Sequence, residues 1–153
     1  MTKEWNNNKY ENPKAIAFVD YVVFFFTNGQ FGTENVINVP QRGVDQVSIE
    51  QLVAMTDKKK IPLFMYLYKA NSRRKFPNQK LSTWVEETRL MLNKFRRMTS
   101  LEEQYDLVFE YMKHLNVFNY TTPQEEMELL IGVKNELLEI HNQEPKQFIR
   151  KVI

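Results

Sequence analysis

Residues 83–115 read TWVEETRLMLNKFRRMTSLEEQYDLVFEYMKHL, and the spacing of their apolar positions decides the fold. Trp84, Thr88, Met91, Phe95 and Met98 recur at the 3.6-residue repeat of one helix face. Thr83 with Glu86, and Ser100 with Glu103, have the S/T-x-x-E spacing of a helix start. Tyr105, Val108, Met112 and Leu115 then fall on the inward side of the second helix. The stretch therefore predicts two consecutive helices, Trp84–Arg97 and one opening at Ser100.

Downstream, Thr122-Pro123-Gln124-Glu125 supplies an N-cap, a proline at the first helical position and an acid at the third. Met127, Leu130, Ile131, Leu138 and His141 follow on one face, and Pro145 begins or precedes a short final helix. Upstream, Ser48 with Gln51 predicts a cap ahead of Leu52, Val53 and Met55. A further helix runs from Pro62 to Ala70, and residues 71–80 read as a basic loop. Gly29, Gly32, Pro40 and Gly43 punctuate the region before these helices. There Val36–Val39 and Val44–Val47 flank Pro40-Gln41-Arg42-Gly43, a β-turn pattern that predicts a small hairpin. Asn12 and Pro13 resemble an N-cap and first turn, with Asn28-Gly29 as the stop. The β-branched and aromatic residues between them also suit a strand; the length of the run favours a helix. The expectation is a mainly α, single-domain helical bundle with one small β-hairpin near residues 36–47. Residues 1–12 form a loose leader, and 13–153 form the domain.

The composition agrees. A chain of 153 residues, 42% apolar and 13% aromatic, has enough apolar material for one core. It contains no cysteine, which excludes disulfides, thiolate nucleophiles and cysteine zinc sites and fits a reducing compartment. The N-terminus lacks the basic-then-apolar order of a signal peptide. The apolar run Ala15–Phe26 contains Asp20 and is shorter than the about 20 residues of a membrane span. A cytoplasmic protein with no membrane partner is expected.

Charge is distributed unevenly. Residues 58–97 hold twelve Lys or Arg against two acids, Glu86 and Glu87, while the flanking segments are net acidic and the whole chain is only +2. The block is interleaved with Phe64, Tyr66, Tyr68, Phe76, Trp84 and Phe95. Cations for phosphates and flat rings for bases are what a polyanion site requires. A solvated helix face beside its buried stripe has the same look. Within the block Arg73, Arg74, Lys75 and Lys80 are the candidates for phosphates, Arg89, Arg96 and Arg97 continue the track, and Phe76 is the candidate for stacking. Trp84 lies on the apolar stripe and reads as core.

Other chemistry is poorly supported. His114 and His141 fall in different predicted helices without paired spacing, so no metal site is expected. Gly29-Gln30-Phe31-Gly32 lacks the third glycine and the Lys-Ser/Thr of a phosphate loop. Glu102, Asp106 and Glu110 lie at spacing four and read as a solvated acidic ridge. Asp20, Asp57 and Glu86 could serve a metal-dependent nuclease, but their spacing does not single them out. Ser48–Leu67 could be a helix-turn-helix, yet its turn lacks glycine and two ordinary adjacent helices fit better.

One local resemblance exists. Leu81–Leu92, the pair Arg96-Arg97 and then Ser100-Leu101-Glu102-Glu103 are similar to a helical module of bacteriophage replication initiators and DnaD-type primosomal proteins. Trp84, Arg89, Arg97, Glu102 and Glu103 match that module's pattern residue by residue over about residues 81–118. The aspartate that usually precedes its basic residue is missing from Asn93–Phe95, and no winged-helix domain is recognisable upstream. The resemblance implies helicase loading or single-strand binding at a replication origin.

The sequence thus points to a small, non-enzymatic, nucleic-acid-binding accessory protein, needing no cofactor and acting in replication or transcription. DNA and RNA both remain open as partners, as does homo-oligomerisation. The alternative is a protein-interaction factor, such as an inhibitor, adaptor or assembly component, that docks its basic patch on an acidic protein surface.

Overall fold

The computed structural model describes residues 10–73 and 78–143. Seven helices run in chain order: α1 Pro13–Phe26, α2 Thr33–Val36, α3 Gln46–Lys59, α4 Leu63–Ser72, α5 Gln79–Arg96, α6 Leu101–His114 and α7 Gln124–Gln143. There is no strand among the described residues. The expected final helix at Pro145 lies outside them. The helices divide into two compact units: residues up to Val23 with those from Met98 onward, and Phe24–Arg97.

Residues 13–28, legible as helix or strand, form a helix with the expected ends. The Asn12 side-chain oxygen accepts from the amides of Lys14 and Ala15, at 2.9 and 3.2 Å. These are donors that the first turn would otherwise leave unpaired. At the other end Asn28 and Gly29 take positive φ, and the Gly29 amide donates to the Phe24 carbonyl at 2.8 Å. A side chain at Gly29 would be strained by its φ of +76° and would press on the Phe64 ring at 3.3 Å.

In the first unit α1 is buried on most sides, from Ala15 through Val23, and packs with α6 and α7. Phe18 meets Phe109 edge-on with ring centroids 5.6 Å apart, Tyr21 meets Tyr111 at 6.1 Å, and Phe118 lies 4.8 Å from Phe109. The first two are edge contacts, which add to burial because the positive rim of one ring faces the negative face of the other. Ser100 caps α6 as its spacing predicts, its hydroxyl accepting from the Glu103 amide at 3.1 Å. Near the start of α1, Lys14 pairs with Glu126, and the Asn12 amide group donates to the same carboxylate. The hydrogen bond from Lys14, then that from Asn12, holds the Glu126 carboxyl below its ordinary pKa. On α7 the buried face is Leu130, Val133, Leu137 and His141, whereas Ile131 is exposed. Gly132 faces open space: nothing lies within 4 Å of where its side chain would begin.

His141 is the buried histidine of this unit, hydrogen-bonded through Nδ1 to the Tyr105 hydroxyl at 3.1 Å. Burial disfavours the imidazolium and lowers the His141 pKa from 6.5 to about 4. Above pH 6.5 the ring is neutral in both folded and unfolded chains, and its contribution is complete. As the pH falls from 6.5 towards 4, the unfolded chain takes up a proton that the folded one resists, so stability is lost across that window. The expected loss is about 2–3 kcal/mol, at about 1.4 kcal/mol per pKa unit. Urea midpoints at pH 7.5 and 4.5 test this: His141→Gln should lack that component of the pH dependence, and a variant with the same dependence as wild type would refute it.

In the second unit the end of α1 meets α4 and α5 through rings. Phe24 lies 5.3 Å from Phe64, Phe64 lies 5.8 Å from Trp84, and Phe26 lies 4.9 Å from Phe95. Trp84 is 2% exposed, so its place on the apolar stripe does mean core.

The hairpin expected at 36–47 is absent. Val36 closes α2, residues 37–45 form a loop, and Val47 lies inside α3. Side chains take the backbone groups that a two-stranded ladder would need. Arg42 donates through one guanidinium nitrogen to the carbonyls of Val36 and Ile37, at 3.0 and 2.9 Å. Asn38 accepts from the amides of Arg42 and Val44 and donates to the Val44 carbonyl. The Val39–Pro40 peptide is cis. Two helices also begin earlier than the sequence suggests. Asp45, not Ser48, caps α3; it accepts from the Ser48 amide at 2.7 Å and from its hydroxyl at 3.0 Å. These bonds lower the Asp45 carboxyl pKa. Asn78, not Thr83, caps α5, accepting from the Leu81 amide at 3.1 Å and donating back to the Arg42 carbonyl at 2.6 Å.

Candidate nucleic-acid interface

The described cations of the basic block all lie in the second unit, on or beside α3, α4 and α5. Lys58 and Lys59 occupy the last turn of α3, and Lys60 caps it in the left-handed conformation. Lys69 lies in the last turn of α4, with Arg73 as its cap; Lys94 and Arg96 end α5, with Arg97 as its cap. Cations there are favoured by the carbonyl-bearing, partially negative end of the helix. The local electrostatics of three helix ends therefore accounts for much of the block.

Two cations escape that account. Lys80 lies in the first turn of α5, the partially positive end, and that turn holds no acid. Arg89 lies in the middle of α5, half-buried, with its guanidinium 5.2 Å from the centroid of the Tyr68 ring on α4. The surroundings of the pair are ordered. Between α4 and α5, Asn71 accepts from the Ser82 hydroxyl at 2.5 Å and donates to Glu86 at 3.3 Å. Arg96 donates to the Asn93 side chain one turn back.

Of the eight residues proposed from sequence, Arg73, Lys80, Arg96 and Arg97 are exposed, and Arg89 is half-exposed beside Tyr68. Arg74, Lys75 and Phe76 lie outside the described residues. Arg42, the buried cation of the unit at 5% exposure, is structural: its guanidinium lies 4.6 Å from the Trp84 ring. Tyr68 was one of six aromatics interleaved with the basic block. Its pairing with Arg89, 21 positions away on another helix, has no local signal.

The charge balance of the described residues is uneven. Ion pairs of the first unit include Lys14–Glu126, Lys113–Glu110 and Lys134–Asp106. No described cation of residues 58–97 has a carboxylate within 4 Å among the described residues. In the second unit Glu34, Glu50 and Asp57 instead line an open groove between α2 and α3, floored by Ile49 and Val53. The predicted acidic ridge of Glu102, Asp106 and Glu110 is solvated and partly neutralised, Asp106 by Lys134 at 2.9 Å and Glu110 by Lys113 at 3.1 Å.

No cluster of three or more His, Asp or Glu suited to a metal ion occurs among the described residues. His141 is engaged with Tyr105, and His114 stacks on Tyr111. No described helix is long and apolar enough to cross a membrane. The described cations of the block thus lie mostly at helix ends, with one of them, Arg89, beside an aromatic ring on the neighbouring helix. Comparison of the chain with protein-family models, curated proteins and solved structures gives no match.

Proposed function

We propose that this protein is a nucleic-acid-binding accessory factor that holds phosphates with the basic block and catalyses no reaction. The observation that carries the reading is the set of cations on α3–α5 with no carboxylate partner among the described residues, Lys80 at a helix start among them. Like charges gathered in one segment repel one another, and counterions or a polyanion relieve that cost. The resemblance of residues 81–118 adds a role in replication, as in phage initiators; that stretch passes from one unit into the other at Arg97.

Salt-titrated binding tests the proposal. Each phosphate contact releases condensed counterions, so log affinity should fall linearly with log salt. The combined substitution Arg73→Gln, Arg74→Gln and Lys75→Gln should weaken binding to all sequences. It should also flatten the slope by roughly 2–3 units, about one for each cation removed. The melting temperature should be unchanged, because replacing charged side chains with glutamine removes no apolar residue from the core. An unaltered affinity and slope in the variant, or no binding by the wild type at low salt, would sink this reading. The second reading, docking on an acidic protein, would then lead. It is favoured by Leu90, 69% exposed on α5 between Arg89 and Lys94, because interface centres are apolar.

A further inference from the structure

We infer that the Tyr68–Arg89 pair is a stacking subsite for an unpaired nucleobase, so that the ligand of this surface is single-stranded nucleic acid. The inference rests on the nucleic-acid reading above and names its substrate class. Tyr68 is an exposed aromatic on α4, at 39%, and Met65, one turn before it, is exposed at 47%. A tyrosine placed only to fill a core would be covered. Arg89 lies beside the ring at 5.2 Å without a carboxylate partner among the described residues. Its position in the middle of α5 gives it no helix-end stabilisation.

An arginine beside a tyrosine ring makes a two-layer platform. The guanidinium is planar, charged and weakly hydrated, so its outer face accepts a base while its edge reaches a phosphate. The two helices that carry the pair are tied together beside it. Asn71, one turn beyond Tyr68 on α4, is bonded to Ser82 and Glu86 on α5, and Glu86 lies one turn before Arg89. Pre-ordering of this kind lowers the entropy lost on binding. Lys69, exposed beside Tyr68, and the exposed Arg73 at the end of the same helix supply charge for the backbone that such a base would carry. In a duplex each base face is already covered by its neighbours, so the platform has nothing to accept. In a single strand every base offers a face.

The test is fluorescence anisotropy with a labelled oligo(dT) and a duplex of equal length, at several salt concentrations. Wild type should bind the single strand more tightly than the duplex. Tyr68→Ala and Tyr68→Leu should each weaken oligo(dT) binding by about 5- to 150-fold, the range for losing one stacked base. Neither should change the salt slope or duplex affinity, and Tyr68→Phe should restore most of the binding. Tyr68→Leu keeps an apolar side chain at the position, so a melting temperature equal to wild type separates lost stacking from lost folding. If Tyr68→Leu binds oligo(dT) as wild type does, with the salt slope intact, the stacking subsite is refuted and the phosphate-binding surface stands. Equal affinity of wild type for single strand and duplex refutes it likewise. If wild type binds neither nucleic acid at low salt, the nucleic-acid reading itself falls, and the subsite with it.

Discussion

Replacing Trp84 with alanine is expected to cost about 3–5 kcal/mol of stability, the range for truncating a buried large aromatic. The indole is 2% exposed and sits among Phe24, Phe64 and the Arg42 guanidinium. Its removal opens a cavity that those rings can fill only in part. It also strips the buried Arg42 guanidinium of its aromatic face. Trp84→Phe should lose less. It keeps a ring near Arg42 and discards the indole N–H, which has no hydrogen-bond partner among the described residues. Urea unfolding of the three proteins measures both effects. If Trp84→Ala instead melts like wild type while nucleic-acid binding drops, the indole is a contact and the core assignment is wrong.

The second large effect is expected at Leu130, where truncation to alanine should cost about 2–5 kcal/mol. Leu130 is fully buried on α7, in line with Val133 and Leu137. Ile131, which the sequence places on the same face, is 40% exposed. Ile131→Ala should therefore cost well under the Leu130 value, since surface substitutions stay near about 0.5 kcal/mol or below. Equal losses at the two positions would mean that α7 is rotated from the orientation described.

Helix starts were legible at Asn12 and Ser100 but not at Thr122, whose hydroxyl accepts from the Asn119 amide at 2.9 Å instead of capping α7. Asn12 and Ser100 carry the short polar side chain at the right offset, and both cap as expected. Ser48 and Thr83 were misleading because Asp45 and Asn78 upstream are equally able acceptors. Asp45 also recruits Ser48 as a donor, which turns the apparent cap into its partner. The hairpin failed for a different reason. Alternating valines around Pro-Gln-Arg-Gly suit two strands, but Arg42 and Asn38 satisfy the backbone locally. A side chain folding back onto carbonyls five and six residues away leaves no periodic trace. Of the candidate site, the charge imbalance was fully visible in the sequence. Its division between helix ends, a helix start and the Tyr68–Arg89 pair required the helices to be placed.

The open position at Gly132 gives a practical handle on all of these measurements. The chain contains no cysteine, so Gly132→Cys would create its sole thiol. A dye attached there would project from α7 into open space. The replacement should also favour the helix by about a few tenths of a kcal/mol, because glycine is a poor helix residue. Site-specific labelling at residue 132 would report binding without altering any residue assigned to phosphates or to stacking.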